Sequence, residues 1–350
     1  MGDLTPSVPL SVRGEGEESV SGPPPQTPGK RLPHASPRGV VAIVGHTGVG
    51  KSALALHLAR AFGGEIVNAD SRQVYRGMDI GTAKPSPEER ALVPHHLFDL
   101  VDPDGAFSLA LYQEKANAAI QDILSRGRLP LLVGGSGLYV WAVLEGVRVP
   151  RVPPDPAFRR AMLERAERDG PQALFAELEA IDPEAARRID PRNVRRVVRA
   201  LEVCRATGAR FSDLQRKEPP PFESLVIGLA LERAELYRRI DARVDAMVAQ
   251  GWVEEVRALL ERGYSLDLPS MSAVGYREIA LHLRGDITLD EAVARAKASV
   301  HGFVRHQGAW FRRSDPRIRW LDAAGDACSA TEALVREWLA GSGGSQAGRT

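Results

Sequence analysis

The sequence predicts an α/β fold, a parallel sheet with flanking helices plus an inserted small all-helical domain. Three observations predict it. An apolar run, Val40-Val41-Ala42-Ile43-Val44, leads directly into Gly45-His46-Thr47-Gly48-Val49-Gly50-Lys51-Ser52, the G-x-x-x-x-G-K-[ST] spacing of a phosphate-binding loop in its strand-then-helix setting. Short apolar runs then alternate with helical stretches, as crossover-connected parallel strands require. From about Gly146 to Phe222 that alternation stops and only helical periodicity remains, bracketed by Pro150, Pro153-Pro154 and Pro219-Pro220-Pro221. The sheet is therefore expected to be P-loop NTPase-like. Residues 39–145 form the first part of its core, 146–222 the helical insertion, 223–325 the second part, and 326–350 a short helix with a flexible tail.

Composition bounds the function. With 43% hydrophobic residues, 350 residues suffice for a sizeable core. The 46 basic and 45 acidic residues leave a net charge of +1, so no global field draws the protein to nucleic acid and any RNA contact rests on local clusters. Cys204 and Cys328 show neither metal-ligand spacing nor a disulfide framework, which points to a reducing, cytoplasmic setting. No run reaches the ~18 apolar residues of a membrane span, and the N-terminus lacks a signal-peptide layout. The chain is read as soluble and, by default, monomeric. Residues 1–38 are rich in Pro, Ser and Gly without apolar periodicity and read as a disordered tail. Glu15, Glu17 and Glu18 argue against a transit peptide.

Each element follows in order. Val40–Val44 is a strand, Lys51–Phe62 a helix, and Glu65–Ala69 a second strand ending at Asp70. In the loop, glycines let backbone N–H groups face an anion, the helix N-terminus adds partial positive charge, Lys51 neutralises phosphate oxygens and Ser52 can ligate Mg²⁺. Strand ends of such a sheet share one rim, so Asp70 is delivered beside the loop as general base, Mg²⁺ ligand or plain helix cap. Ser71 to Pro85, dense in polar, Gly and aromatic residues, reads as a functional loop on a rigid scaffold. A helix over Leu109–Ser125 leads to the strand Pro130–Val133 and the tetrad Gly134-Gly135-Ser136-Gly137, either a ligand-facing turn or an ordinary one.

The insertion reads as helices over Pro156–Arg168, Pro171–Ala180 and Pro191–Ala206. On the last, Arg192, Arg195, Arg196 and Arg199 share one face opposite Val194, Val197, Val198 and Leu201, without an interleaved acid. That face suits a phosphate backbone, or is simply solvated. The strand Ser224–Leu231 returns to the sheet, followed by helices over Arg233–Ala249, Val253–Arg262 and Leu289–Arg313. Either Arg239 or Arg243, one turn apart on the first, could reach the rim. The long last helix mixes Arg305, Arg312 and Arg313 with Trp310 and Phe311, compatible with RNA or with core packing.

Seven stretches together resemble the bacterial tRNA dimethylallyltransferases, also called tRNA isopentenyltransferases. They are the phosphate loop, Asn68-Ala69-Asp70-Ser71, the string from Tyr75 through Gly77-Met78-Asp79-Ile80-Gly81-Thr82-Ala83-Lys84-Pro85, Pro94-His95-His96, Leu131 to Tyr139, Arg199 to Val203, and Val274-Gly275-Tyr276-Arg277-Glu278. The likeness runs in order from about Val40 to Asp322, and Gly77–Pro85 is its most specific part. It implies transfer of a dimethylallyl group from dimethylallyl diphosphate to N6 of adenine 37, beside the anticodon of tRNA, with Mg²⁺ as cofactor and the anticodon stem-loop as partner. It implies that Asp70 is the catalytic aspartate. Gly45, His46, Thr47, Gly48, Val49, Gly50, Lys51 and Ser52, with Arg243 and Ser136, would hold the diphosphate, Ser52 through Mg²⁺. Asp70, Ser71, Arg72, Gln73, Ser136, Arg159, Arg192, Asn193, Arg195, Arg196, Arg199, Gly275, Tyr276 and Arg277 would contact tRNA.

Some positions depart from the family pattern. His46 stands where the family usually has Pro, and Ser136 where it has Thr, a hydroxyl being kept. Val300-His301 and Arg305-His306-Gln307 replace a Thr-Arg pair and a Lys-Arg-Gln run, so two positive charges become histidines. There is no C-terminal Cys/His zinc motif of the eukaryotic kind. From the residues alone a P-loop kinase, with Lys51 and Mg²⁺ holding ATP and Asp70 activating a hydroxyl, explains the loop equally well but leaves the arginine face idle. A non-catalytic RNA-binding module leaves the loop and Asp70 idle.

Overall fold

Five successive apolar residues make sense only for a strand covered on both faces, and Val40 to Val44 are fully buried in β1 (Gly39–Gly45). The computed structural model describes residues 39–341, so the tail expected over 1–38 and the end of the tail expected over 326–350 lie outside the described residues. The elements after β1 are α1 (Lys51–Phe62), β2 (Glu65–Asn68), α2 (Pro87–Leu92), β3 (His95–His96), α3 (Leu109–Ser125), β4 (Pro130–Val133) and α4 (Gly137–Leu144). Then come α5 (Pro156–Asp169), α6 (Pro171–Ile181), α7 (Pro183–Arg188), α8 (Val194–Thr207) and α9 (Phe211–Leu214). The chain ends with β5 (Glu223–Ala230), α10 (Arg233–Ala249), α11 (Trp252–Glu261), α12 (Tyr276–Leu283), α13 (Leu289–Gln307), β6 (Ile318–Asp322) and α14 (Ala327–Gly341).

The six strands are ordered β3-β2-β4-β1-β5-β6, all neighbours parallel. Val41 pairs with both Leu131 and Leu225, which fixes the register of the three central strands. Alternate side chains serve opposite faces. Val41 and Ile43 pack with Leu54, Leu58 and Phe62 of α1 and with Val335 of α14, while Val40, Ala42 and Val44 pack with Tyr112, Ala116 and Ile120 of α3 and with α4. From β1 the chain turns to one side for β2, whereas β5 and β6 complete the other, so the crevice above β1 lies where connections part and ligands bind.

Helices α5–α8, with Phe211 of α9, share an apolar cluster of their own, which includes Leu174, Leu178, Val197 and Leu201. The two ends of that segment are tied together, Arg148 N donating to Arg216 O (2.8 Å) and Glu218 N to Gly146 O (2.9 Å). A further cluster joins Val74, Tyr75 and Met78 to Trp252, Val256, Met271, Tyr276 and Ile279. It seats the Gly77–Pro85 string against α11 and α12.

Differences from the expectation have local causes. β3 is two residues long and β6 alternates weakly at a sheet edge, too little pattern for periodicity to detect. α8 starts at Val194 because the Asn193 side chain caps it, accepting from Arg196 N (3.2 Å), so Arg192 precedes the helix. α13 stops at Gln307 rather than at Arg313, and Phe311 turns back into the core. Among the described residues no helix is long and apolar enough to cross a membrane.

Candidate active site

The phosphate loop owes its shape to Gly45, Gly48 and Gly50, with φ of 139°, 81° and 101°. At Gly45 a Cβ would also fall 2.5 Å from Leu229 O, on the neighbouring strand. Gly50 gives α1 no side-chain cap, so its first N–H groups remain for a ligand. Lys51 Nζ donates to His46 O (2.8 Å), holding the ammonium inside the loop. Burial and the nearby Arg243 guanidinium lower its pKa from 10.5 to about 8, against the opposing pull of Asp70. Burial also depresses Arg243, again opposed by Asp70. Two cations facing one carboxylate in an enclosed site leave a net positive field, which an anion would relieve.

Asp70 is placed by the residues before it. Asn68 Oδ1 accepts from Asp70 N (2.9 Å), Asn68 Nδ2 donates to Leu97 O (3.0 Å), and Tyr112 OH donates to Asn68 O (3.0 Å). Asp70 caps no helix; its Oδ1 accepts from Arg72 N (2.8 Å) and tightens a turn. No bond from the described residues reaches Oδ2. The tetrad after β4 crosses this turn, Ser136 N donating to Ala69 O (3.2 Å) and Ser136 Oγ accepting from Ser71 N (3.0 Å). A Cβ on Gly134 would sit 2.1 Å from Ala69 O, which makes glycine obligatory there.

Gln307, only 4% exposed, stitches the two loops together. Its Oε1 accepts from Thr47 N (2.9 Å) and its Nε2 donates to Gly135 O (3.1 Å). Two cavities meet beneath it. The smaller, about 70 Å³, is lined by Lys51, Ser52, Asn68 and Gln73; the larger, about 380 Å³, by Ser71, Arg72, Ser136, Ile240, Val244, Met247, Trp252, Val300, Phe303 and Trp310. Thr47, Asp70, Thr82, Gly135 and Arg243 line both. The carboxylate and the guanidinium therefore stand where a polar phosphate end and an apolar chamber join.

Glu255 of α11 holds the Gly77–Pro85 string in place. Its carboxylate accepts from Asp79 N (2.7 Å), Ile80 N (2.7 Å), Gly81 N (3.1 Å) and Tyr276 OH (2.7 Å). The Lys84 side chain, 1% exposed, donates to Tyr75 O and to the Asp79 and Asp99 carboxylates, and Gln73 Nε2 donates to Thr82 O (2.9 Å). Burial would raise the Asp99 pKa, but hydrogen bonds from Lys84 and Arg90 outweigh it and hold the carboxyl below its usual range. Ala83, Leu97 and Asp99 are the non-glycine residues with positive φ (51°, 68° and 54°) among the described residues, so backbone strain gathers beside this site. Sequence reasoning missed Glu255 and Gln307, whose partners lie far along the chain.

The residues expected to meet RNA differ in exposure and in partners. Tyr276 is 0% exposed with its hydroxyl donated to Glu255 (2.7 Å), so its side chain is built into the wall of the site. Gly275 is also buried, its Cα filling the space beside the Trp252 ring, and only Arg277 of that triplet is exposed. The arginine face does contain acids. Glu202, 2% exposed, binds Arg159 through both oxygens (2.8 and 2.7 Å) and also pairs with Arg199, which donates to Val152 O (2.9 Å). Arg192 pairs with Asp190 (2.8 Å). Arg195 and Arg196 remain exposed, with Asn193 serving as cap. Arg239 pairs with Glu235 (2.7 Å), leaving Arg243 as the arginine that reaches the rim. His301 stacks on Tyr237 (ring centroids 4.0 Å apart) beside Asp241, whereas His306 is exposed and lines the larger cavity.

Among the described residues no group of three His, Cys, Asp or Glu could form a metal cage. The donors present, Ser52 at the helix start and Asp70 across the smaller cavity, fit a hard cation held largely by ligand phosphates and water, the usual mode for Mg²⁺.

Comparison with known proteins agrees with this architecture. The model of the family described as IPP transferase matches residues 73–314, and that described as isopentenyl transferase matches residues 38–97. A tRNA dimethylallyltransferase of Roseiflexus sp. (strain RS-1) is 56% identical over 86% of this chain and 98% of its own length. That of Roseiflexus castenholzii is 58% identical over 85% and 97%. Among solved structures, the tRNA isopentenylpyrophosphate transferase of Bacillus halodurans is 41% identical, covering 87% of this chain and 96% of its own, with a TM-score of 0.64. A eukaryotic dimethylallyltransferase acting on tRNA gives a TM-score of 0.73 at 28% identity, covering 87% and 80%.

Proposed function

The chain belongs to the IPP transferase family, and from that premise we propose that it transfers the dimethylallyl group of dimethylallyl diphosphate to N6 of adenine 37 in tRNA, releasing diphosphate. The observation that carries this reading is the junction of the two cavities at Asp70 and Arg243. A diphosphate on Lys51 and the α1 N-terminus directs its ester carbon at that junction. The apolar wall of Ile240, Val244, Met247 and Val300 suits the five-carbon chain.

In the reaction the N6 lone pair attacks C1, the C1–O bond breaks, and its electrons leave with the diphosphate. Asp70 Oδ2 takes the proton that N6 gives up. Lys51, Arg243 and the loop amides stabilise the charge that collects on the departing oxygens. Ser52 is the residue that would hold Mg²⁺, whose contribution there is to neutralise phosphate charge. Ser136 and Ser71, on the larger-cavity side, are suited to the acceptor base rather than to the diphosphate. Adenine must first leave the anticodon-loop stack, at a cost of roughly a few kcal/mol. Exposed Arg195, Arg196 and Arg277, with Arg72 at the cavity, are the contacts assigned to the anticodon stem-loop.

The test is direct. The protein is incubated with dimethylallyl diphosphate, Mg²⁺ and unmodified tRNA bearing adenine 37, and the nucleosides are analysed by mass spectrometry. Isopentenyl-adenosine is expected. Its absence, with ATP hydrolysed or its phosphate transferred instead, would replace this reading by the kinase one.

A further inference from the structure

Six large hydrophobic side chains are exposed among the described residues, and three of them, Leu138 (48%), Phe303 (40%) and Trp310 (44%), line one and the same cavity, the larger one. Exposed apolar groups scattered singly need no explanation, but a ring of them at a binding cavity does. We propose that this rim is a stacking platform for a nucleobase next to the acceptor adenine in the RNA, with Trp310 as its principal surface and Phe303 as the second. The proposal rests on the RNA-modifying function above and adds to it the residues that grip the neighbouring base.

The exposure of Trp310 is built in. Its N–H donates to Gln307 O (3.0 Å) and its carbonyl accepts from Trp141 Nε1 (3.3 Å), so the backbone is fixed at the end of α13. The side chain leans on Gly137, where an added Cβ would lie 2.4 Å from Trp310 Cβ and Cγ. The ring is thus held at the opening. The donor does not need it, because Ile240, Val244, Met247 and Val300 already supply an apolar wall deeper in.

Charge selects the occupant. Arg305, Arg312 and Arg313 are exposed on the same segment, and among the described residues none forms a salt bridge with a carboxylate; Arg305 is hydrogen-bonded to Tyr237 and the Arg313 guanidinium lies over the Trp320 ring (5.0 Å to its centroid), so all three keep their charge unneutralised. Aromatic faces beside arginines that no carboxylate neutralises are the equipment of a single-stranded nucleic-acid site, bases on the rings and phosphates on the cations. A second copy of the chain docked on this rim by a two-fold axis would bring the same arginines against each other.

The experiment uses the full chain and an RNA stem-loop carrying the acceptor adenine, intact or with the base on its 5′ or 3′ side removed to leave an abasic sugar. Stacking on an aromatic is worth about 1–3 kcal/mol per base by alanine substitution, about 5- to 150-fold. Trp310→Ala should therefore raise the KM for intact RNA about 10- to 100-fold, with Trp310→Phe recovering most of the loss and the KM for dimethylallyl diphosphate moving less than about threefold. On one of the two abasic RNAs the wild-type protein should fall to a similar level, and Trp310→Ala should there cost less than about twofold more. An equal loss from Trp310→Ala on intact and both abasic RNAs would overturn the platform, as would a parallel rise in the donor KM, which would assign the ring to the donor. Wild-type protein that prenylates no RNA at all would instead refute the underlying function, a result distinct from either.

Discussion

Replacing Lys51 should make the empty protein more stable, although it destroys the phosphate site. The ammonium is enclosed, and burial with the field of Arg243 lowers its pKa from 10.5 to about 8. In the unfolded chain it titrates near its ordinary value. Below pH about 8 the group is charged in both states and the folded protein bears the whole cost, about 3 kcal/mol for that displacement. Between about 8 and 10.5 the folded state sheds the proton first, so stability rises with pH, and above that range the cost is gone. Lys51→Met should therefore raise stability by up to ~3 kcal/mol at pH 7, with the difference from wild type shrinking to about half by pH 9.5. Urea unfolding of both proteins at pH 7, 8 and 9.5 measures it, the common alkaline effects cancelling in the difference. A variant less stable at pH 7, or a difference independent of pH, would refute the argument that the site is a strained positive field awaiting an anion. Diphosphate binding should return the proton, so calorimetry near pH 8.5 should show proton uptake, and kcat/KM for the donor should fall as pH rises through about 8.

Other consequences are open to similar checks. Asp70→Ala should cut single-turnover transfer at least ~100-fold while donor binding survives, since the proposed role of the carboxylate is to take the N6 proton and not to hold the diphosphate; unchanged transfer would remove it from catalysis. Replacing Arg195 and Arg196 together should lower the slope of log affinity for tRNA against log salt by one to two, whereas Arg192→Ala, whose partner Asp190 already screens it, should change it little. If the two replacements act alike, the distinction between free and paired arginines fails. Gln307→Leu leaves Thr47 N and Gly135 O without their partner, at about 1–3 kcal/mol, and should raise the donor KM roughly tenfold through a loosened loop; a donor KM equal to wild type would show that the loop holds its shape unaided.

What was legible from the sequence, and what was not, follows from the distance over which each interaction is made. The phosphate loop is eight consecutive residues, Gly45 to Ser52, so its chemistry is written in local spacing, and the fully buried Val40–Val44 could be read from its neighbours alone. Asp70 followed because a strand end has a fixed address in a parallel sheet. The arginine face shows the limit of spacing. Helical periodicity placed Arg192, Arg195, Arg196 and Arg199 together, yet Glu202, three residues past Arg199, was a visible sign that this arginine was taken. That the same carboxylate also holds Arg159 is a contact across 43 residues, which no spacing discloses. Glu255 reaches the string at Asp79 across 176 residues and Gln307 reaches Thr47 across 260, and both act by capping backbone N–H groups, which any sequence possesses. The residues that touch charge in a ligand thus betray themselves by type, while those that position the loops around them do so only through the fold. The most specific string in the sequence, Gly77 to Pro85, belongs to the second kind: its Lys84 and Gly81 are engaged with Asp79, Asp99 and Glu255. Its specificity is that of a wall which must stand in one place for Thr82 to line both cavities.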